Sequence, residues 1–218
     1  MVLSQRSHEE YNKLHFYMII KKRYKIARRL GAPVFEKTQT QKFALRSENK
    51  TFSKKKPKAK SDYGIGLMEK QKARYSYGIT SKQFTNYVNK ATEKKGNSAQ
   101  LLVTLLESRF DNVALRAGFA TTRQAARQMT CHGHLTINGK IVTIPSYQVK
   151  VGDVISIREG SKKKGLFANL DERLKIVKIP AWLKLNFEKK EIVIDGLPQV
   201  ANSELLFSPG AVLEFYSR

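Results

Sequence analysis

Residues 116–141 read RAGFATTRQAARQMTCHGHLTINGKI, and within them a helical pattern changes to a strand pattern. Thr121 and Gln124 form a capping-box pair, which predicts a helix that begins there and ends near Gly133. After Gly133, apolar residues alternate with polar ones, and Asn138-Gly139 is the strongest two-residue hairpin signal. The stretch therefore predicts a helix followed by a β-hairpin.

This helix has two unlike faces. At about 100° per residue, Ala125, Ala126 and Met129 share one side, and the small alanines allow a close approach to a neighbouring element. Arg123 and Arg127 lie one turn apart on roughly the opposite side. We expect this second face to point outward and to present two planar guanidinium groups to a phosphate backbone.

A competing interpretation is that these arginines form salt bridges within the protein. It is the weaker one because Glu107 and Asp111 are the only acidic residues between positions 101 and 152. Arg116, near the end of the preceding helix, extends the basic row. Gly118 is suited to the left-handed position that closes that preceding helix.

The regular pattern extends on both sides of this stretch. Asn97, with Gln100 three residues later, resembles the start of a helix, and an apolar stripe follows it. A short helix is predicted over about 111–117. The predicted strands are 141–144, 147–150 and 154–157. Residues 97–159 therefore predict a small module in which helices pack beside a twisted sheet.

Two further helices are predicted before the module, from Tyr63 onward, joined at residues 77–80. Basic and aromatic residues intersperse there, a mixture that can pair with phosphates and stack on bases. The residues concerned are Lys70, Lys72, Arg74, Tyr75 and Tyr77. For the aromatics we favour the alternative that they belong to the core, because helical spacing more often reflects packing than ligand contact.

The first quarter of the chain holds most of the excess charge. Lys and Arg number 41 against 18 Asp and Glu, a formal charge of +23, and residues 1–60 contain 17 basic and 4 acidic side chains. Between Thr38 and Asp62 there is little apolar periodicity, and a lysine-rich run surrounds Pro57. We expect a basic arm that orders on its partner, with a merely solvated linker as the alternative.

The segment after the module begins with a lysine run and continues as a helix around 170–176. Trp182, close to Pro180, is typical of a packing anchor. Short strands are predicted around 192–194 and 212–216, with a turn at Asp195-Gly196.

The charge calls for a polyanionic partner, either nucleic acid or an acidic membrane surface. No apolar run approaches the roughly 18 residues of a spanning helix. The apolar residues 16–20 are followed by basic residues and not preceded by them, the wrong order for a secretory signal. The single cysteine, Cys131, excludes an internal disulfide and fits a reducing compartment. We therefore expect a soluble intracellular protein.

No catalytic or metal site is expected. Cys131, His132 and His134 form the one tempting metal cluster, but they straddle a helix end and a strand start, and no fourth ligand is nearby. The sequence shows no nucleotide-binding glycine loop, paired acids or Ser-His-Asp arrangement. We expect a protein that is not an enzyme and that needs no cofactor.

Many ordered motifs together resemble the universal small-subunit ribosomal protein family S-four, in its bacterial form, over residues 21–218. The residues that carry the resemblance are 61–64, 69–72, 77–78, 106–113, 116–128, 132–134, 138–140, 145–147, 152–153, 180–183 and 215–218. The chain is similar to the zinc-free type, because the N-terminal segment contains none of the four cysteines that hold zinc in many members. The first twenty residues have no evident counterpart, and residues 207–211 depart from the usual approach to the C-terminal strand.

The resemblance implies an α+β fold in three parts. Residues 1–60 are a basic N-terminal extension and arm. Residues 61–96 and 161–218 form a discontinuous, mostly helical domain with C-terminal strands. Residues 97–160 are the inserted RNA-binding module, made of helices and a twisted sheet.

The resemblance also implies a function. A member of this family binds the five-prime domain of small-subunit rRNA directly, nucleates subunit assembly, contacts ribosomal protein S-five and lies near the mRNA entry channel. We expect such a protein in the small ribosomal subunit of the cytoplasm, with an organellar ribosome less favoured. No membrane association and no stable homo-oligomer are expected.

The candidate RNA-binding residues come from the basic runs and from the motifs of the family. They are Lys21, Lys22, Arg23, Lys25, Arg28, Arg29, Lys54, Lys55, Lys56, Lys58, Lys60, Lys70, Lys72, Arg74, Tyr75, Arg109, Arg116, Arg123, Arg127, Gln128, His132, His134, Asn138 and Lys140. Changing Arg123 and Arg127 together to alanine is expected to weaken rRNA binding and to leave the fold intact.

Two other classes of protein were weighed. The same module is attached to enzymes such as pseudouridine synthases and tyrosyl-tRNA synthetases, but those need a separate catalytic domain. A free-standing ribosome-rescue factor or RNA chaperone is the second alternative. The matches on both flanks of the module, and the ending Phe215-Tyr-Ser-Arg218, argue against it.

Overall fold

The computed structural model describes residues 20, 22–51, 61–201 and 204–217, which contain nine α-helices and a five-stranded antiparallel sheet. The helices are α1 Arg23–Leu30, α2 Gln41–Thr51, α3 Asp62–Tyr77, α4 Ser81–Glu93, α5 Ser98–Glu107, α6 Phe110–Arg116, α7 Arg123–Cys131, α8 Leu170–Ile176 and α9 Pro209–Ser217. The strands are β1 Leu135–Ile137, β2 Lys140–Ile141, β3 Val154–Ile157, β4 Leu183–Asn186 and β5 Glu191–Ile194. The expected α+β class is confirmed.

Helices α3, α4, α5 and α9 form a helical body, residues 61–107 and 204–217. Its core includes Phe84, Leu102, Leu106 and Val212, all fully buried. The predicted joint between two helices at 77–80 is confirmed, since α3 ends at Tyr77 and α4 begins at Ser81. Capping explains where α4 and α5 begin. The Thr80 side chain forms a capping box at the start of α4, and the Asn97 side chain accepts backbone hydrogen bonds at the start of α5.

The strand predicted over 212–216 is wrong, because this segment is helix α9. Two signals for a helix were present and were missed. Pro209 occupies the first helical position, where its fixed φ is favourable, and the Ser208 hydroxyl accepts a hydrogen bond from the Ala211 N–H at 3.4 Å. Helix α9 packs on α3, and the two helices approach so closely that a Cβ on Gly66 would lie 3.0 Å from the Cβ of Phe215.

The remaining elements from α6 to β5 form a sheet module, residues 108–201. The strand order is β2-β1-β3-β5-β4, and Ile155 on β3 lies opposite Ile137 on β1 and Ile192 on β5. Helices α6, α7 and α8 bury apolar side chains against the sheet in one core. Trp182 is buried in the same core, as predicted for an anchor.

The packing differs from the predicted domain boundaries in two ways. Helix α5 was assigned to the module, yet Leu102 and Leu106 belong to the core of the helical body. Strands β4 and β5 and helix α8 were assigned to the helical domain, yet they complete the sheet and core of the module. The reason is that the edge of β3 not paired to β1 requires a partner, and β5 supplies it.

Several local predictions hold and others shift. Asn138 and Gly139 adopt φ of 50° and 77°, as the hairpin prediction requires. Thr122, not Thr121, caps α7. The strand predicted over 141–144 stops at Ile141, and 147–150 contributes only an isolated bridge between Gln148 and Arg109.

The N-terminal segment contains more regular structure than the sequence predicted. Helix α1, a short 3-10 turn at Glu36–Thr38 and helix α2 precede the body. Phe35 is buried and meets Tyr75 of α3 edge to face, with ring centroids 6.0 Å apart. The prediction of an arm without structure of its own is therefore wrong for residues 41–51, while residues 1–19 and 52–60 lie outside the described residues.

Candidate nucleic-acid interface

The body and the module meet at a buried ionic network around Glu107, at the end of α5. The Glu107 side chain is fully buried and accepts four side-chain hydrogen bonds. The Tyr77 hydroxyl and the Asn112 amide each donate to it at 2.6 Å, and Arg116 donates through Nε and Nη2 at 3.1 and 3.0 Å. One carboxylate thus ties α3 and α5 of the body to α6 of the module.

The pKa of Glu107 reflects this environment. Burial alone would raise the pKa of the carboxyl, but the hydrogen bonds and charge of Arg116, together with the charge of Arg123, outweigh burial and lower it. Burial and the adjacent Glu107 carboxylate raise the pKa of Tyr77 well above its ordinary value. Glu107 is therefore charged, and Tyr77 is a hydroxyl donor, at neutral pH.

Asp111 organises a second network beside the first. Arg109 donates to its two carboxylate oxygens at 3.0 and 2.8 Å, and Arg127 of α7 donates to Oδ2 through Nε and Nη2 at 2.9 and 2.7 Å. Arg127 also donates to the backbone carbonyls of Gly78 and Tyr77, at 2.5 and 3.2 Å. This arginine therefore connects α7 directly to the C-terminal end of α3.

The expectation that the arginine face of α7 points outward is wrong for Arg127. Its side chain is 16% exposed and lies in the interface between module and body. Arg109 is 2% exposed and cannot reach RNA from its position. Glu107 and Asp111 are the only acidic residues in this part of the sequence. Asp111 pairs with Arg109 and Arg127, and Glu107 pairs with Arg116. The intramolecular salt bridges that seemed the weaker interpretation are observed for Arg127 and Arg116, while Arg123 forms none among the described residues.

Arg123 holds an intermediate position. Its Nε donates to the Asn112 side chain at 3.0 Å, and its guanidinium group lies 5.0 Å from the centroid of the Tyr77 ring. Its Nη1 and Nη2 atoms have no hydrogen-bond acceptor among the described residues. Arg116 is 28% exposed. These two arginines have a structural role and keep some access to solvent.

The α1 segment docks against the N-terminus of α7. Glu36 accepts a hydrogen bond from the Arg123 backbone N–H at 3.0 Å, and Arg23 donates to the Gln124 side chain. This contact brings the basic helix α1 beside the module. The candidate residues Lys22, Lys25, Arg28 and Arg29 are exposed there. Lys21, Lys54, Lys55, Lys56, Lys58 and Lys60 lie outside the described residues.

The hairpin end of the module carries the remaining candidates. Gln128, His132 and Lys140 are exposed, and His134 is half-buried. Asn138 is largely occupied by the turn itself, since its amide donates to Asp153 and its carbonyl accepts from the Val154 N–H, both at 2.9 Å. The structure thus places these residues on the C-terminal half of α7 and beyond it.

The α3 candidates make contacts within the protein. Lys70 lies over the rings of Phe215 and Tyr216, and Lys72 pairs with Glu69 at 2.7 Å. Arg74 donates to Gln71 and stacks 4.3 Å from the centroid of the Tyr75 ring. Tyr77 is buried, so the core interpretation of this aromatic residue is confirmed.

The sequence did not single out Glu36 or Asn112 as residues that organise this interface. The N–H partner of Glu36 lies 87 positions away in the chain, and no local pattern connects the two. Asn112 donates to Glu107 and accepts from Arg123, a role that depends on how α5, α6 and α7 pack. Only the tertiary structure brings these partners together.

Two other classes of site were examined in the described part of the chain. No group of three or more His, Cys, Asp or Glu side chains there is arranged to hold a metal ion. No helix there has the length and apolar composition needed to cross a membrane.

Known protein families match the chain on both sides of residue 108. The S4 domain model matches residues 108–155, and the model of the ribosomal protein S4/S9 N-terminal domain matches residues 19–107. The junction of the two matches coincides with the boundary between α5 and the sheet module. The two models together cover more than half of the chain.

Three relatives of the chain carry the same name. The small ribosomal subunit protein uS4 of Corynebacterium glutamicum is 42% identical over 158 residues, which cover 72% of this chain and 79% of that protein. The uS4 proteins of Neisseria meningitidis and Verminephrobacter eiseniae are each 39% identical, and the matches cover 89% of this chain and 96% of theirs.

Proposed function

Because the chain belongs to the family of the small ribosomal subunit protein uS4, we propose that it binds the five-prime domain of small-subunit rRNA directly and nucleates assembly of the subunit. Its role is structural and involves no catalysis. The observation that carries the proposal is the docking of α1 on α7, which joins the basic α1 surface to the module.

The interface suits RNA because it is rigid and basic. Proteins recognise folded RNA by its shape and by contacts to phosphates and 2′-hydroxyls, so the relative position of the cationic groups matters as much as their number. The exposed residues of this interface are Lys22, Lys25, Arg28, Arg29, Gln128, His132 and Lys140. The buried arginines 109 and 127 contribute by fixing the body against the module.

We also propose a protein-binding surface on α3 and α9, for ribosomal protein S-five. Tyr63 and Ile65 are 59% and 47% exposed, and the Tyr63 ring lies 5.2 Å from the ring of Phe215. Exposed aromatic residues with polar surroundings are typical of protein interfaces. The departure at residues 207–211 spans the start of α9, and two of its residues, Phe207 and Pro209, are buried. A position beside the mRNA entry channel follows from the same family resemblance.

The experiment compares two fragments of small-subunit rRNA, the five-prime domain and the three-prime domain, in a filter-binding assay across salt. The wild-type chain is expected to prefer the five-prime domain. A variant with Lys22, Lys25, Arg28 and Arg29 changed to Gln is expected to bind the five-prime domain more weakly. Its affinity is also expected to depend less steeply on salt. The matched control changes four exposed lysines on or just after α4 to Gln, Lys82, Lys90, Lys94 and Lys95. Equal affinity for both fragments, or equal losses in the two variants, would contradict the proposal.

A further inference from the structure

A run of residues after β3, 158–167, folds into two short 3-10 turns. Backbone N–H groups of Ser161, Lys164 and Phe167 donate to the carbonyls of Arg158, Ser161 and Lys164, at 2.8, 3.0 and 2.9 Å. These i to i+3 bonds keep the run compact, and the extended backbone at Lys164 separates its two 3-10 turns, so that Ser161 and Phe167 are buried while Arg158 and Lys164 are exposed. The Arg158 N–H in turn donates to the His134 carbonyl at 2.9 Å, which places the run beside β1.

The buried members of the run hold the imidazole ring of His134. Its Nδ1 lies 3.0 Å from the Ser161 hydroxyl, and its ring meets the edge of Phe167 at 6.4 Å between centroids. Ser161 and Phe167 are only 2% and 6% exposed, so this support is rigid. The ring of His132 lies nearly parallel to that of His134, 6.0 Å away. The Nε2 atom of His134 has no hydrogen-bond partner among the described residues.

The exposed members of the run are cationic and uncompensated. Arg158 and Lys164 are exposed, and neither side chain has a hydrogen bond or an ion pair among the described residues. Glu159, the acid within the run, pairs with Lys162 instead. Burial lowers the pKa of His134, and the nearby Lys164, His132 and Arg158 lower it further. The site therefore has the positive charge needed to bind an anion.

We propose that Arg158, Lys164 and His134 form a binding site for phosphate groups of the rRNA backbone, which extends the interface of α1 and α7 across the end of β3. The inference rests on the proposed function, since it assigns further residues to RNA contact. A solvated run of charges would not require a packed imidazole at its centre. Two cations and the Nε2 atom of His134, which carries a proton when Nδ1 accepts from the Ser161 hydroxyl and also in the imidazolium form, match the acceptors of one or two adjacent phosphates.

The test is the affinity of the full chain for the five-prime domain fragment of rRNA. R158Q/K164Q removes two charges from the site, and K94Q/K95Q removes two exposed charges at the end of α4. Loss of two phosphate contacts is expected to weaken binding roughly 25- to 60-fold at 0.1 M salt and to reduce the slope of log K against log salt by about 1.5. The control is expected to change affinity less than about threefold.

The outcomes separate this site from the proposed function. If the wild-type chain binds the fragment and both double variants lose affinity equally, the site is overturned and the proposed function stands. If the wild-type chain does not bind, both are overturned. R158K/K164R keeps the charges and is expected to restore binding, which a merely structural role of the run would not require. In the complex, the NMR titration of His134 is expected to shift to a higher pKa than in the free protein, because the phosphate favours imidazolium.

Discussion

Replacing Glu107 by Gln tests whether one buried carboxylate holds the body and the module together. The substitution keeps the volume of the side chain and removes its charge. The amide nitrogen of Gln would then face donors of Asn112 and Arg116, which approach within 3.1 Å of the carboxylate in the wild type. At least one buried donor is left without an acceptor, and the charged hydrogen bonds to Arg116 become neutral.

The expected loss follows from the burial of the two partners. Breaking a fully buried ion pair costs about 3–5 kcal/mol. Because Arg116 is 28% exposed and can turn partly toward water, we expect E107Q to lose about 2–4 kcal/mol of the free energy of unfolding. The control E159Q removes a carboxylate that is 86% exposed and paired at i,i+3, for which about 0.5 kcal/mol or less is expected.

Urea unfolding at neutral pH, followed by far-UV circular dichroism, measures both variants. A loss for E107Q within about 1 kcal/mol of that for E159Q would refute the reasoning, since the network would then contribute no more than a surface pair. The pH dependence provides a second check. The folded state lowers the pKa of Glu107, so its contribution is present above about pH 4.3 and is lost as pH falls through the folded pKa. The difference in the free energy of unfolding between the wild type and E107Q is therefore expected to become smaller in acid.

Three further substitutions test other parts of the account. R127A is expected to lose about 2–4 kcal/mol of the free energy of urea unfolding, because Arg127 joins Asp111 to two carbonyls of the body. R127K is expected to recover only part of this loss. An R127A variant as stable as the wild type would contradict a structural role for this arginine. G118A is expected to cost more in thermal unfolding than G139A, because both glycines have positive φ but only a Cβ at 118 would meet Val177, at 3.2 Å; equal costs would show that crowding plays no part. N97A is expected to lose about 1 kcal/mol with the cap of α5, and a loss below about 0.3 kcal/mol would contradict the role of that cap.

The sequence predicted α7 correctly in one respect and wrongly in another. Helical geometry established that Arg123 and Arg127 lie opposite the alanines, because this depends only on residue spacing. It could not establish what lies against that opposite face. The acceptors of Arg127 are Asp111, 16 positions away, and carbonyls near residue 78, about 50 positions away. The pairing of rare acids with many arginines is a property of the tertiary structure.

In the C-terminal half, too, local residue patterns predicted some elements correctly and others wrongly. Helix α8 and strand β5 were predicted close to their observed bounds because their apolar spacing is regular. The segment 212–216 was misread because its buried Val212 and half-buried Phe215 suit a strand as well as a helix when so few residues are considered. The packing crosses the predicted domain boundaries because the partner of the β3 edge lies more than 30 residues further along the chain.

Sedimentation of ribosomal subunits shows whether the chain is part of the small subunit in its own cells. Subunits are separated on a sucrose gradient after a high-salt wash, and the protein is followed with an antibody. The wild-type chain is expected to remain with the small subunit. Release of the chain into the soluble fraction, or its recovery with the large subunit, would contradict the account.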